Sequence, residues 1–290
     1  VSDIQFAAPQ TVKDAVKCLA GAKGNARVLA GGTDLLVQMR TGRINPSLIV
    51  DLKHIPELRS VKRDNGGFRV GAAVSGAELG ANAAFKSSWP GVIEALELIG
   101  STQIQGRASL GGNLCNASPA ADSVPALIAA GASCTVAGPK GTRTLKVENV
   151  ATGPGKNALK KGEFIVSLSL PKRAKRSGDA YLRLIPRTEM DIAVVGASVN
   201  LTLDAKGVCT AARVALGAVA PTALLVPAAA KALIGTKVDD AALEAMAAAC
   251  RAVCKPIDDM RGTIEYRTQV AGVLARRAAL IALDRARGNA

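Results

Sequence analysis

Two glycine-rich turns, far apart in the chain, constrain what it can fold into more than any other feature. The first reads Ala30-Gly31-Gly32-Thr33-Asp34-Leu35. The second reads Ser109-Leu110-Gly111-Gly112-Asn113 and runs on into Asn116-Ala117-Ser118-Pro119-Ala120-Ala121-Asp122. Each turn leaves an aliphatic run and enters a polar stretch able to open a helix or a loop. Glycine lets backbone come close to a ligand, and free N–H groups at a helix start attract anions. Brought together, two such turns hold a diphosphate from two sides, so the pair reads as a cofactor signature. Taken alone, Gly31-Gly32 is only a turn, and Asp122 only a helix cap ahead of Val124 and Pro125.

The chain has 290 residues, enough for two domains or one large one. With 49% hydrophobic and 21% charged residues it can bury a substantial core, which argues against disorder. No apolar run has the length needed to cross a bilayer, so no membrane span is expected. The start, Val1-Ser2-Asp3-Ile4-Gln5-Phe6, shows no basic segment followed by an apolar one, and a cytoplasmic protein without a signal peptide is expected. Cys18, Cys115, Cys134, Cys209, Cys250 and Cys254 are scattered without a C-x-x-C pair, which points to neither a zinc site nor an iron–sulfur site. The formal charge of +14 raises nucleic acid as a partner, but aromatic residues are only 2%, too few for base-stacking platforms. No nucleic-acid partner is expected. The densest basic run, Lys172 to Arg176, sits between Pro171 and Ser177-Gly178 and reads as a solvated linker.

Hydrophobic periodicity predicts a helix over 11–21, a strand over 27–30 ending at the first glycine turn, and a short helix from Leu35 to Met39. Strands follow at 48–52 and 68–72, with Ser75 as a helix cap and a further helix over 92–99. After the second turn come a buried helix over 124–130, a hairpin around Pro139-Lys140-Gly141, and a strand over 164–170 stopped by Pro171. Beyond the basic run, strands over 192–203 and 208–219 are joined by Asp204-Ala205-Lys206-Gly207. Helices follow over 241–254 and 264–287, the latter with Val270, Leu274 and Ile281 on one side. This last part is α+β.

Common nucleotide motifs fail. No G-x-G-x-x-G follows a strand, and Gly155-Lys156 lacks both the earlier glycine and the following Ser or Thr of a Walker loop. The chain holds a single histidine, His54, which rules out a His-based triad or a multi-histidine metal site. No catalytic or metal-ligating residue is expected in the chain, and its chemistry is expected to come from a bound cofactor.

Five segments together resemble the FAD-binding medium subunit of the xanthine dehydrogenase and carbon monoxide dehydrogenase family of molybdenum hydroxylases. They are Leu29 to Leu35; Leu48 to Leu52 with Ile55-Pro56-Glu57-Leu58; Ser109 to Asp122; Arg187 to Val194; and Arg261 to Arg267. The resemblance covers almost the whole chain. It implies a two-subdomain FAD-binding α/β domain over 1–176, split near 60, and a C-terminal α+β domain over 177–290 with an antiparallel sheet and helices. It also implies FAD in this chain, with Val28, Leu29, Ala30, Gly31, Gly32, Thr33, Asp34 and Leu35 as the first diphosphate loop and Ser109, Gly111, Gly112 and Asn113 as the second. Asp122 falls where the family has an acid bonded to the cofactor. Ile99, Ile165 and Arg183 fall on further contact positions, and Ile192 lies where a relative carries a tyrosine over the flavin.

The resemblance further implies an electron-transfer role. Molybdopterin would sit on a large partner subunit and two [2Fe–2S] clusters on a small one, in a dimer of heterotrimers. Electrons would leave this chain to NAD, oxygen or another acceptor. Two other readings compete: a stand-alone flavin oxidoreductase of the same fold, and a basic binding protein without flavin. The segment between Asp122 and Gly155 holds only Cys134, so no iron–sulfur cluster is expected in this chain.

Overall fold

A computed structural model describes residues 4–288. The N-terminal lobe is a three-stranded parallel sheet ordered β1 (Gln5–Ala7), β3 (Leu48–Asp51), β2 (Ala26–Leu29), with helix α1 (Val12–Gly21) crossing from β1 to β2. Thr11 caps α1 by accepting the Asp14 amide at 3.1 Å, and Ala15 and Leu19 are its buried face. Helix α2 (Leu35–Arg40) follows the first glycine turn and has no buried residue.

The second lobe is a five-stranded antiparallel sheet, β4 (Val61–Asp64), β5 (Gly67–Gly71), β10 (Phe164–Leu170), β6 (Ser133–Gly138) and β7 (Gly141–Lys146), in that order. Asn65 and Gly66, both with positive φ, make the tight turn between β4 and β5. Between β5 and β6 the chain forms a helical layer: α3 (Gly76–Gly80), α4 (Ala83–Ser88), α5 (Pro90–Glu97), α6 (Thr102–Gln105), α7 (Leu110–Asn116) and α8 (Ser123–Ala129). Helix α3 starts with a full capping box, Ser75 and Glu78 bonding each other's backbone amides. A small ribbon, β8 (Ala151–Gly153) and β9 (Lys156–Asn157), leads back to β10.

Strand β10 is apolar at almost every position because both its faces are covered. Ile165, Leu168 and Leu170 pack into the core of the second lobe, while Phe164 and Val166 join Ala15, Leu19, Val50, Leu52, Ile55 and Leu58 in a core shared with the first lobe. Its register against β6 shifts between Ile165 and Ser167, a bulge that re-aims the side chains beside it.

The C-terminal part is a four-stranded antiparallel sheet, β11 (Ser177–Leu184), β12 (Val195–Leu203), β13 (Cys209–Gly217) and β14 (Leu224–Leu225), backed by α9 (Pro227–Leu233), α10 (Asp240–Ala252) and α11 (Ile264–Gly288). Helix α11 buries a stripe of small residues, Ala271, Gly272, Ala275, Ala278, Ala279, Ala282 and Ala286, with Leu274 and Leu283. Val270 and Ile281, expected on its inward side, are only partly buried. Alanine lets the helix lie close on the sheet, so close that a Cβ at Gly178 of β11 would run into the Ala282 carbonyl.

Two expectations change here. Residues 177–184, where the hydrophobic pattern predicts no element, form the edge strand β11. The strand expected from Ile192 begins only at Val195, so Ile192 lies in the preceding connection. Arg173, within the run read as a solvated linker, is half-buried, with its guanidinium inside. Its guanidinium lies 4.6 Å from the Trp89 ring centre and 2.8 Å from an Asp179 carboxylate oxygen. The other residues of that run stay largely at the surface.

Candidate cofactor site

The two glycine turns meet. A Cβ at Gly31 would run into the carbonyl of Arg107, just before the second turn, and a Cβ at Gly111 would press on the Ala72 backbone. Glycine is required at both positions: at Gly31 the two lobes touch through bare backbone, and at Gly111 helix α7 lies directly on the backbone that follows β5. Gly32 adds a φ of +83°, the left-handed region that favours glycine and turns the chain from β2 into α2. Within the described residues, the amides of Thr33, Asp34, Leu35 and Gly111 make no hydrogen bond. Ser109 caps α7 by accepting the Gly112 amide at 3.1 Å. The Asn113 side-chain oxygen is held inward, accepting from the Ser123 hydroxyl at 2.7 Å and its amide at 3.2 Å.

Between the lobes lies a cavity of about 660 Å³, within the range of about 300–1,000 Å³ common for small-molecule and cofactor sites. Of the expected site residues, Val28, Ala30, Gly31, Gly32, Thr33, Asp34, Leu35, Ile99, Ser109, Gly111, Gly112, Asn113 and Ile165 line it. Leu29, Asp122, Arg183 and Ile192 do not. Leu29 ends β2 and accepts the Leu52 amide on its carbonyl. Ile192 is 54% exposed on the connection before β12.

Asp122 and Arg183 face each other. Arg183 Nη1 donates to Asp122 Oδ2 at 2.9 Å, and the Tyr181 hydroxyl donates to Asp122 Oδ1 at 3.1 Å. Burial pushes the Asp122 carboxyl up to about 6, against the opposing pull of Arg183 and Tyr181. Burial and the neighbouring Asp122 hold the Tyr181 phenol well above its ordinary value. The cluster joins the start of α8 to β11 and so ties the C-terminal sheet to the second lobe.

Sequence reasoning missed polar residues that also line the cavity: Arg27, Gln38, Asn116, Asn157, Lys160 and Lys161. Asn116 stood inside the quoted second motif, whereas Lys160-Lys161 carried only the signal of two adjacent cations before Gly162. Cys115 also lines the cavity, and burial pushes its thiol up to about 12, so it remains protonated.

The residues present fit an elongated dinucleotide. Both turns line the cavity and carry amides without a partner, as a diphosphate would need, the cradle is bare glycine backbone, and Ile99 and Ile165 add apolar lining. The sequence matches two family models: the FAD binding domain in molybdopterin dehydrogenase over residues 2–173, and the CO dehydrogenase flavoprotein C-terminal domain over residues 180–282. The chain belongs to the molybdopterin dehydrogenase FAD-binding family. It is 31% identical to the carbon monoxide dehydrogenase medium chain of Hydrogenophaga pseudoflava, covering 94% of this chain and 95% of that one. It is 34% identical to the corresponding medium chain of Afipia carboxidovorans, over 97% and 96% of the two. A solved structure of a Cu,Mo-CO dehydrogenase superposes with a TM-score of 0.93 at 32% identity, covering 97% of this chain and 98% of that chain. This family is one of oxidoreductase subunits, and this chain supplies the FAD-binding one. No helix among the described residues is long and apolar enough to cross a membrane.

Proposed function

We propose that this chain is the FAD-carrying electron-transfer subunit of a cytoplasmic molybdenum hydroxylase. It takes electrons from [2Fe–2S] clusters on a small partner subunit and passes them to NAD, oxygen or another acceptor. Substrate oxidation takes place at molybdopterin on a large partner, and the assembly is a dimer of heterotrimers. The observation that carries this reading is the meeting of two glycine turns on one wall of one cavity, each presenting unpaired amides to it. Relatives named as medium chains of carbon monoxide dehydrogenase support the multi-subunit part.

A bound FAD supplies the redox chemistry, since a flavin accepts single electrons and releases a pair. The chain's own residues bind and orient it. Amides at Thr33 to Leu35 and at Gly111 would hold its diphosphate. Ile99 and Ile165 exclude water from one side. Asp122, held by Arg183 and Tyr181, fixes the position of β11 relative to the second lobe. On the same reading, the FAD domain ends near residue 176, where the basic run leaves β10 and enters β11, and its two subdomains divide near residue 60.

Native purification through a tag on this chain tests the proposal. The expected preparation is yellow, contains molybdenum and iron in partner chains, and yields FAD on denaturation. A natively purified chain that turns over substrate without molybdenum and iron favours the stand-alone flavin reading. A colourless chain that takes up no FAD overturns both.

A further inference from the structure

The carboxamides of Gln38 and Asn116 meet at the cavity wall, where Gln38 Nε2 donates to Asn116 Oδ1 at 2.9 Å. The bond joins α2, which leaves the first glycine turn, to the last residue of α7, which leaves the second. Both side chains line the cavity and both are half-buried.

The two ends of this bond are anchored very differently. Asn116 stands on fixed ground. The carbonyl of Cys115 accepts Asn157 Nδ2 at 2.9 Å, the carbonyl of Ala117 accepts the Gly155 amide at 3.0 Å, and α7 buries Leu110, Gly111 and Leu114. Helix α2 buries nothing, and its Leu36 and Val37 are 49% and 58% exposed. A short helix without a buried face opens at little cost unless something outside it holds it down. Among the described residues, the Gln38–Asn116 bond is the side-chain hydrogen bond that ties α2 to the second lobe.

We propose that Gln38 and Asn116 form a latch that keeps α2 and its glycine turn closed against the second lobe and so slows release of the dinucleotide. The inference rests on the FAD-site reading above and adds a function for two residues which that reading does not use. Gln38 is a positioning residue, acting through Asn116 rather than through the cofactor. One partly buried amide–amide bond corresponds to a change of about fivefold in a rate limited by its opening.

Release of FAD from the full chain, followed as the return of free-flavin fluorescence after dilution, tests the latch. Gln38→Ala and Asn116→Ala are each expected to release FAD about fivefold faster than wild type. The double variant is expected to release it no faster than either single one, because both remove the same bond. The exchanged pair, Gln38→Asn with Asn116→Gln, keeps both carboxamides and their summed reach and is expected to bring release back toward the wild-type rate. The urea midpoint of the cofactor-free chain is expected to fall by no more than the loss of that one bond accounts for, since α2 contributes no buried side chain. Single variants that release FAD at the wild-type rate overturn the latch. So do additive effects in the double variant, which place each carboxamide on the cofactor independently, and an exchanged pair as fast as the alanine variants. A wild-type chain that takes up no FAD overturns the site reading and the latch together, whereas a wild-type chain that holds FAD beside unaffected variants overturns the latch alone.

Discussion

Gly31 and Asp122 show how much a single position carries. Gly31 sits against the Arg107 carbonyl with no room for a side chain. Gly31→Ala is expected to force the two lobes apart at a cost of about 1–3 kcal/mol and to abolish FAD retention. Urea unfolding and flavin absorbance of the purified variant check the two parts separately. Asp122 and Arg183 are a buried pair, and Asp122→Asn takes the burial-penalised charge out of it while leaving an acceptor for Tyr181 and Arg183. The Asp122 carboxyl, raised to about 6 in the folded chain, still holds its proton at a pH where an unfolded aspartate has released it. The native state therefore binds more protons between about pH 4 and pH 6, and this group's contribution to stability falls as the pH rises through that window, then stays level above it. The slope is on the order of 3 kcal/mol across the window, and Asp122→Asn should lack it in urea midpoints taken as a function of pH. The sequence placed Asp122 with the cofactor. It carried no sign that Arg183 and Tyr181 would reach back to it, because those partners lie on another element far along the chain.

Among the elements, β11 matters most for the junction with the second lobe. Asp179, Tyr181 and Arg183 alternate along one of its faces and all turn to the second lobe. Asp179 accepts the Gly91 amide at 3.0 Å, the Tyr181 amide donates to Glu94 at 3.0 Å, and Tyr181 and Arg183 both bind Asp122. Tyr181→Phe removes one donor from Asp122 and should destabilise the chain by about 1–2 kcal/mol. It should also carry the upper end of the Asp122 window to higher pH, since the lost bond favoured the charged form; pH-dependent unfolding of this variant checks both. Helix α1, β2, β3, β10 and α8 were legible in the sequence because their apolar spacing and their caps act within a few residues. Strand β11 was not. Its positions toward the second lobe are Asp, Tyr and Arg, which break any hydrophobic pattern, and only pairing across the domain junction makes them interior. Helix α11 was found, but its inward side was assigned to the large residues, while the sheet accepts the alanines.

For the whole molecule, the junction between the FAD domain and the C-terminal sheet is held by charge as well as by apolar contact. Arg173 lies over Trp89 and beside Asp179, whose carboxyl burial raises above its usual range. Arg285 of α11 donates to the Asp179 carbonyl at 2.7 Å and pairs with Glu94. Farther along the junction, Arg213 donates to the Ile128 carbonyl at 2.9 Å and the Ala218 amide to the Pro119 carbonyl at 2.8 Å. Arg173→Ala leaves Asp179 short of a counter-charge and uncovers Trp89, at an expected cost of about 3–5 kcal/mol. Trp89 is the sole tryptophan of the chain, so a red-shifted emission with faster proteolysis between β10 and β11 is the expected signature. Unchanged emission would show that the junction does not depend on this stack.

The sequence by itself determined the two glycine turns, the elements that launch them, the presence of a single histidine, and a resemblance strong enough to name the family. These are properties of short stretches: a φ only glycine reaches, a spacing only one face of a helix satisfies, a motif read in order. The tertiary structure decided what those stretches face. It set the turns against each other through bare backbone. It turned Asp122 toward Arg183 and Tyr181, drew Arg173 out of a basic run onto Trp89, and brought Gln38 to Asn116. Each of these contacts joins residues far apart in the chain, and its strength comes from exclusion of water at the place where they meet, which no local pattern encodes.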